Sequence, residues 1–234
     1  MIDFNKFRFG PIKDDLIKTF KDEFTNHKPY EKIFQVKEGD VVIDVGASNG
    51  IFTCSILDKK PKHVFCLEPS KSLFPYLVKN TVGNPVTQIN KAITNGNGLT
   101  DVNWGNVYAD EGNYETIQWK TFIDRFGIDE INFLKLDCEG GEYDILTPEN
   151  KEWILDNVDV IVGEFHLGDP ILKEKFKRFR DNYIEEFELV AVRSIDGVDI
   201  MWDMVNGMID PDNNHFVNRY KEVIIHLSND TSRI

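Results

Sequence analysis

The stretch Val41-Val42-Ile43-Asp44-Val45-Gly46-Ala47-Ser48-Asn49-Gly50 decides the reading of this chain. Apolar residues flank a single acid, without the polar alternation of a half-exposed strand, so the run reads as a buried parallel strand. Gly46 and Gly50 bracket a turn that permits close backbone approach or a positive φ. The next residues, Ile51 to Leu57, form the apolar body of a short helix. A strand, a glycine turn and a helix start together present backbone N–H groups to the polar part of a nucleotide-like ligand. The turn is neither Gly-x-Gly-x-x-Gly nor a Gly-x-x-x-x-Gly-Lys phosphate loop.

Outward from that run, strands and helices alternate. His63 to Glu68 reads as a second strand, and Ser70 caps a helix ending near Asn80. Val86 to Ile93 is a weaker third strand. Asn95 to Gly98 is a loop or hairpin turn. Thr100 to Tyr114, rich in Gly, Asn and Asp around Trp104 and Tyr108, reads as an excursion or small hairpin. Thr121 to Phe126 begins a helix closed by Gly127. Ile131 to Asp137 is a fourth strand and Glu142 to Leu146 opens a helix. Val158 to Phe165 is a fifth strand, and a basic amphipathic helix follows Pro170. Phe187 to Arg193 and Glu222 to Leu227 are late strands, with a hairpin signal at Asp196-Gly197 before Val198 to Trp202. The order predicts an α/β domain with a mostly parallel, doubly wound sheet and an antiparallel element at one edge. Residues 1–37 form a helical preface, with Ile12, Leu16, Ile17 and Phe20 at helical spacing. Residues 38–234 are then the main domain.

The 234 residues, 41% of them hydrophobic and 17 of them phenylalanine, suffice for one core of ordinary size. The formal net charge of −13 repels phosphate backbones, which argues against nucleic acid as a partner. The basic group Lys173, Lys175, Lys177, Arg178 and Arg180 is interleaved with acids and reads as a solvated helix face. The odd set Cys54, Cys66 and Cys138 lacks metal-type spacing and sits among apolar neighbours, as buried reduced thiols do. The start of the chain has no signal-peptide pattern, and no run approaches the roughly 20 apolar residues of a membrane span. A cytoplasmic protein without membrane association is expected.

Ligands of such sheets bind beyond the carboxyl ends of the strands. The first strand presents Asp44 and the turn Gly46, Ala47, Ser48, Asn49, Gly50; the second presents Glu68-Pro69. An acid in the place of Glu68 accepts hydrogen bonds from ribose hydroxyls. The third presents Asn90 to Ile93. The fourth presents Asp137, Cys138, Glu139, Gly140 and Gly141. Its acids suit a metal, a general base or an anchor for a ligand amine, whereas Glu142 suits charge compensation at a helix start. Glu164 and His166 share one side of the fifth strand end. His166 is either a base for a hydroxyl proton or a group that orients Glu164 or caps a loop.

Four stretches in this order resemble the FkbM-type methyltransferases, which use S-adenosylmethionine: Val42 to Thr53, Cys66 to Ser70, Phe133 to Glu142, and Glu164-Phe165-His166. The block Lys135-Leu136-Asp137-Cys138-Glu139-Gly140-Gly141-Glu142 is the family-specific one. The resemblance implies a Rossmann-like class I methyltransferase fold with a seven-stranded sheet. It implies methyl transfer to a hydroxyl of a sugar, glycan or small natural product. Asp44, Gly46 and Gly50 would line the methionine part of the cofactor, Glu68 the ribose, and Lys91 and Ala92 the adenine. Ala47, Ser48, Asn49, Pro69 and Asp137 would complete the cofactor-binding set, and Asp137, Glu139, Glu164 and His166 would face the methyl and the acceptor. No divalent metal is the preferred expectation; the alternative places one on Asp137, Glu139 and Glu164. A nicotinamide-dependent oxidoreductase, disfavoured by the glycine spacing, and a non-catalytic cofactor-binding module are the rival readings.

Overall fold

The computed structural model describes residues 2–95, 98–101, 113–168, 170–194, 198–200 and 222–233. A seven-stranded sheet carries the chain. Its strands are β1 (Val41–Val45), β2 (His63–Leu67), β3 (Val86–Ile89), β7 (Phe133–Leu136), β8 (Val160–His166), β9 (Leu189–Arg193) and β10 (Glu222–Ser228), in the order β3-β2-β1-β7-β8-β10-β9. The pairs from β3 to β8 are parallel, and β10 runs antiparallel between β8 and β9. The antiparallel element therefore sits at that edge as one reversed strand, with β9 outside it. A small second sheet contains β4 (Ala92–Ile93), β5 (Gly98–Asp101) and β6 (Asn113–Ile117).

The third strand expected over Val86 to Ile93 is thus divided. β3 stays in the main sheet, and β4 leaves it to pair with β6. β5 and β6 pair antiparallel, as arms of a hairpin would. The excursion's centre, including Trp104 and Tyr108, and the turn at Asp196-Gly197 lie outside the described residues.

Side-chain alternation on the central strands produces two cores. One face carries Ile43, Val45, Leu134, Leu136, Ile161 and Phe165. It is covered by α4 (Trp119–Phe126), α6 (Lys151–Asn157) and α7 (Pro170–Tyr183). The other carries Val42, Val64, Cys66, Phe133, Val160 and Val162. It is covered by α2 (Ile51–Ile56), α3 (Phe74–Thr81) and the N-terminal residues Tyr30, Phe34 and Val36. Gly127 closes α4 in the left-handed conformation, at φ 59°. Three of the five basic residues of α7 pair with acids: Lys175 with Asp144, Arg178 with Glu174, Arg180 with Asp181. The three cysteines are free thiols. Among the described residues, no helix is long and apolar enough to cross a membrane.

The preface consists of α1 (Asp14–Asp22), a π-helical turn at Glu23–His27 and a 3₁₀ turn at Pro29–Glu31. No residue of α1 is buried. The chain nevertheless enters the core at Tyr30, Phe34 and Val36, each under 9% exposed.

The same alternation brings chemistry to the carboxyl end. Asp44 on β1 lies in register with Lys135 on β7, and Lys135 with Val162 on β8. Lys135, Asp137, Glu164 and His166 follow at even spacing on the face that α2 and the preface cover. Gly46, at φ +73°, lies so close to β7 that a Cβ there would stand 1.7 Å from the Asp137 carbonyl oxygen. Gly46→Ala combines a strained φ with a collision against backbone, and should cost about 3 kcal/mol or more in urea unfolding. A loss below about 1 kcal/mol would contradict the close approach.

Candidate active site

The site is built around a buried lysine. Lys135 is 3% exposed, and its Nζ donates to the carbonyl of Gly46 at 2.8 Å and approaches that of Val45 at 3.3 Å. It lies 3.1 Å from Asp44 Oδ1 and 3.7 Å from Asp137 Oδ2. Burial works to discharge the ammonium, but attraction to Asp44 and Asp137 prevails and raises its pKa. Asp44 itself is fully buried, and its other oxygen accepts the Thr53 hydroxyl at 2.7 Å.

Next to this cluster lies a cavity of about 210 Å³. The glycine turn contributes Gly46, Ala47 and Ser48, the end of β2 contributes Glu68 and Pro69, and Lys135, Asp137, Glu139 and Glu164 close the far side. Leu16, Phe20, Glu23, Phe24 and Tyr30 of the preface form the roof. Asp44, Asn49, Gly50, Lys91, Ala92 and His166 are not on the wall. Asp44 is consumed by Lys135 and Thr53, so it holds the turn from below. Asn49 is buried, and its side chain donates to the Phe9 carbonyl. Gly50 caps α2 at φ 86°. Lys91 pairs with Glu115, and Ala92 belongs to the second sheet.

Glu68 is 6% exposed, and each of its oxygens accepts a backbone N–H: Oε2 from Ser48 at 2.7 Å, Oε1 from Ser70 at 2.8 Å. Burial pushes it up to about 7 in spite of those bonds. A carboxylate has about four lone-pair positions, so capacity remains toward the cavity. The buried Ser48 hydroxyl oxygen has no hydrogen-bond partner. A nucleoside diol beside Glu68 and a polar group at Ser48 would satisfy both, so the wall fits the ribose and amino-acid parts of S-adenosylmethionine. A cavity of this size is below the roughly 300 Å³ at which drug-sized ligand sites begin. The wall able to yield is α1, which has no buried residue.

The acidic side is crowded. Burial and the charge of Asp137 push Glu23 up to about 7, and the same two causes raise Glu164 well above the carboxylate range. Burial raises Glu139 as well. Glu139 and Ser48 both adopt left-handed backbone, at φ 55° and φ 51°. Strain of this kind gathers at functional turns.

His166 stands behind the wall. Its Nδ1 lies 3.2 Å from Glu142 Oε1, and its Nε2 lies 3.5 Å from Glu139 and 3.7 Å from Glu164. Burial lowers its pKa, but the Glu142 hydrogen bond and the charges of Glu142, Asp137 and Glu139 prevail and push it up to about 10. At neutral pH it is an imidazolium. Glu142 is fully buried and also accepts the N–H groups of His166 and Gly140 at 2.9 and 2.8 Å. It ties the turn after β7 to the end of β8, a role that helix-start charge compensation does not describe. Asp137, Glu164 and His166 offer ligand atoms within 4.8 Å of one another, so His166 replaces Glu139 in the metal-type grouping expected from the sequence.

The architecture is that of class I methyltransferases. A putative rRNA-methylase from Clostridium thermocellum superposes with a TM-score of 0.50 at 14% identity, covering 93% of this chain and 96% of that one. Precorrin-6y C5,15-methyltransferase from Geobacter metallireducens GS-15 gives 0.48 at 12% identity, over 98% and 97% of the two chains. Aeropyrum pernix fibrillarin, solved with natively bound S-adenosyl-L-methionine, gives 0.45 at 11% identity over 82% and 67%. At these values the first likeness bears on fold alone and the other two carry no weight. No curated protein sequence matches the chain. The model of the methyltransferase FkbM domain matches residues 44–188, more than half of the chain. The chain belongs to that family and is an S-adenosylmethionine-dependent methyltransferase.

The raised pKa of His166 has a consequence for stability. Its ordinary value is 6.5 and its folded value about 10, so its contribution is complete below pH 6.5 and is lost as pH rises toward 10. Melting temperature should fall across that window, and His166→Gln should flatten the fall. An unchanged slope would show that the imidazolium is not held as described.

Proposed function

We propose that this chain transfers the methyl group to a hydroxyl of a sugar, glycan or small natural product. The observation that carries the reading is that an amide-held Glu68 and the unpartnered Ser48 hydroxyl line the same cavity as Asp137, Glu139 and Glu164. S-adenosylmethionine, when bound, supplies an electrophilic methyl on a sulfonium, so the protein's work is alignment and removal of one proton. Glu68 accepts the ribose hydroxyls. The surplus of carboxylates over Lys135 and His166 favours a cationic centre in the cavity.

Glu139 is the best-placed base. It lines the cavity, while Asp137 is engaged by Lys135 and by a phenol, and Glu164 is largely buried. His166 holds its proton at neutral pH, stands 3.5 Å behind Glu139 and orients it. Burial brings the Glu139 carboxyl closer to neutrality, which improves its match to a hydroxyl proton. An RNA acceptor is disfavoured: the net charge is −13 and the cavity wall is acidic.

A second reading adds a hard divalent cation, favoured by the 4.8 Å grouping of Asp137, Glu164 and His166. Those residues would hold it, and it would lower the pKa of the acceptor hydroxyl.

Calorimetric titration with S-adenosylhomocysteine and with NADH tests the cofactor. Binding of the first and not the second is expected, and the reverse would overturn the reading. Transfer of labelled methyl to a panel of hydroxylated glycosides tests the acceptor; cofactor binding without transfer across a broad panel would favour a non-catalytic module. On an acceptor found there, Glu139→Gln should lower kcat by about 10²–10⁴ and leave S-adenosylhomocysteine affinity within about threefold. Wild-type turnover that survives EDTA would set the metal reading aside; turnover lost to EDTA and restored by Mg²⁺ would establish it.

A further inference from the structure

The preface lies outside residues 44–188 of the family match, yet it reaches the centre of the site. Its 3₁₀ turn inserts Tyr30, 6% exposed, among the acids. The phenol oxygen lies 2.8 Å from Asp137 Oδ2 and 3.4 Å from Glu164 Oε2. A phenol has one proton to donate, and the shorter contact assigns it to Asp137. The ring faces the counter-ion of Asp137, with Lys135 Nζ 5.2 Å from its centroid, and meets Phe52 edge-on at 5.6 Å. Tyr30 therefore meets both carboxylates through its oxygen and the lysine that pairs with Asp137 through its ring.

A ring alone would satisfy the packing against Phe52 and Lys135. The hydroxyl adds the desolvation of a polar group, which is offset only by a good hydrogen bond to charge. The π-helical turn at Glu23–His27 and the left-handed Lys28, at φ 46°, deliver Tyr30 to this place. π-helical turns are frequent where a side chain is re-aimed into a functional site.

We infer that Tyr30 is a positioning residue for methyl transfer: its phenol fixes Asp137 beside Glu164 at the cavity wall, so that the N-terminal segment completes the site. The inference rests on the methyltransferase reading above. Asp137 lines the same cavity as Ser48 and Glu68, where the cofactor is read to bind, so the effect of Tyr30 on cofactor binding should depend on Asp137.

The test uses the full chain, S-adenosylhomocysteine and calorimetry. Tyr30→Phe keeps the ring, and its melting temperature should stay within about 5 °C of wild type. It should bind S-adenosylhomocysteine about tenfold more weakly, as expected for a lost hydrogen bond to a charged group. In an Asp137→Asn background the same change should cost less than about threefold. Wild-type affinity in Tyr30→Phe, or an equal penalty in both backgrounds, would overturn the inference while leaving the methyltransferase reading intact. Absence of S-adenosylhomocysteine binding by the wild-type chain would sink both. Should Tyr30→Phe fail to fold, hydrogen exchange on the wild type decides. S-adenosylhomocysteine should slow exchange across residues 14–31, and unchanged exchange there would overturn the inference.

Discussion

The structure depends on one buried ammonium. Lys135 sits in a strand whose four residues are all buried, where an unpaired charge would be prohibitively costly. It is tolerated because Asp44, itself fully buried, stands beside it on the neighbouring strand, and because two backbone carbonyls accept its protons. That requirement fixes the register of β1 against β7. It also fixes the glycine turn, since one of those carbonyls belongs to Gly46. The same ammonium draws Asp137 inward, and Tyr30 covers it from above. Fold, cofactor turn and acidic wall are thus three consequences of satisfying one charge.

Around that centre, negative charge is left in excess. Glu23, Glu68, Glu139 and Glu164 are all shifted upward by burial, while His166 retains its proton among carboxylates. Carboxyls raised in this way take up and release protons more readily, and a cation entering the cavity relieves their mutual repulsion. This is the electrostatic setting for a sulfonium. It also separates two roles that sequence spacing left together. Glu139 faces the cavity, and His166 supports it from behind, oriented in turn by Glu142.

Much of this was legible in the sequence because it is local. The apolar run before Gly46 announced a buried strand, and acids at successive strand ends pointed to one edge of the sheet. What was not legible depends on partners far apart in the chain. Tyr30 meets Asp137 across 107 residues. Nothing in Pro29-Tyr30-Glu31 distinguishes that tyrosine from a surface one. Glu142 looked like an ordinary first-turn acid because its partner, His166, is 24 residues on. Asp44 was expected on the cofactor wall; even spacing puts it on the right face, but the demand of Lys135 takes its carboxylate inward. A lysine within Phe133-Leu134-Lys135-Leu136 was the available signal, since a charge in an apolar strand implies a buried acid nearby. The division of the third strand and the short helix α6 escaped because periodicity is weak over so few residues.

Equilibrium urea unfolding of Lys135→Met tests the central claim most directly. Removing the ammonium leaves Asp44 buried without its counter-ion, and a loss of about 3–5 kcal/mol is expected. A loss below about 1 kcal/mol, the level of an exposed ion pair, would show that the buried charge does not organise this structure.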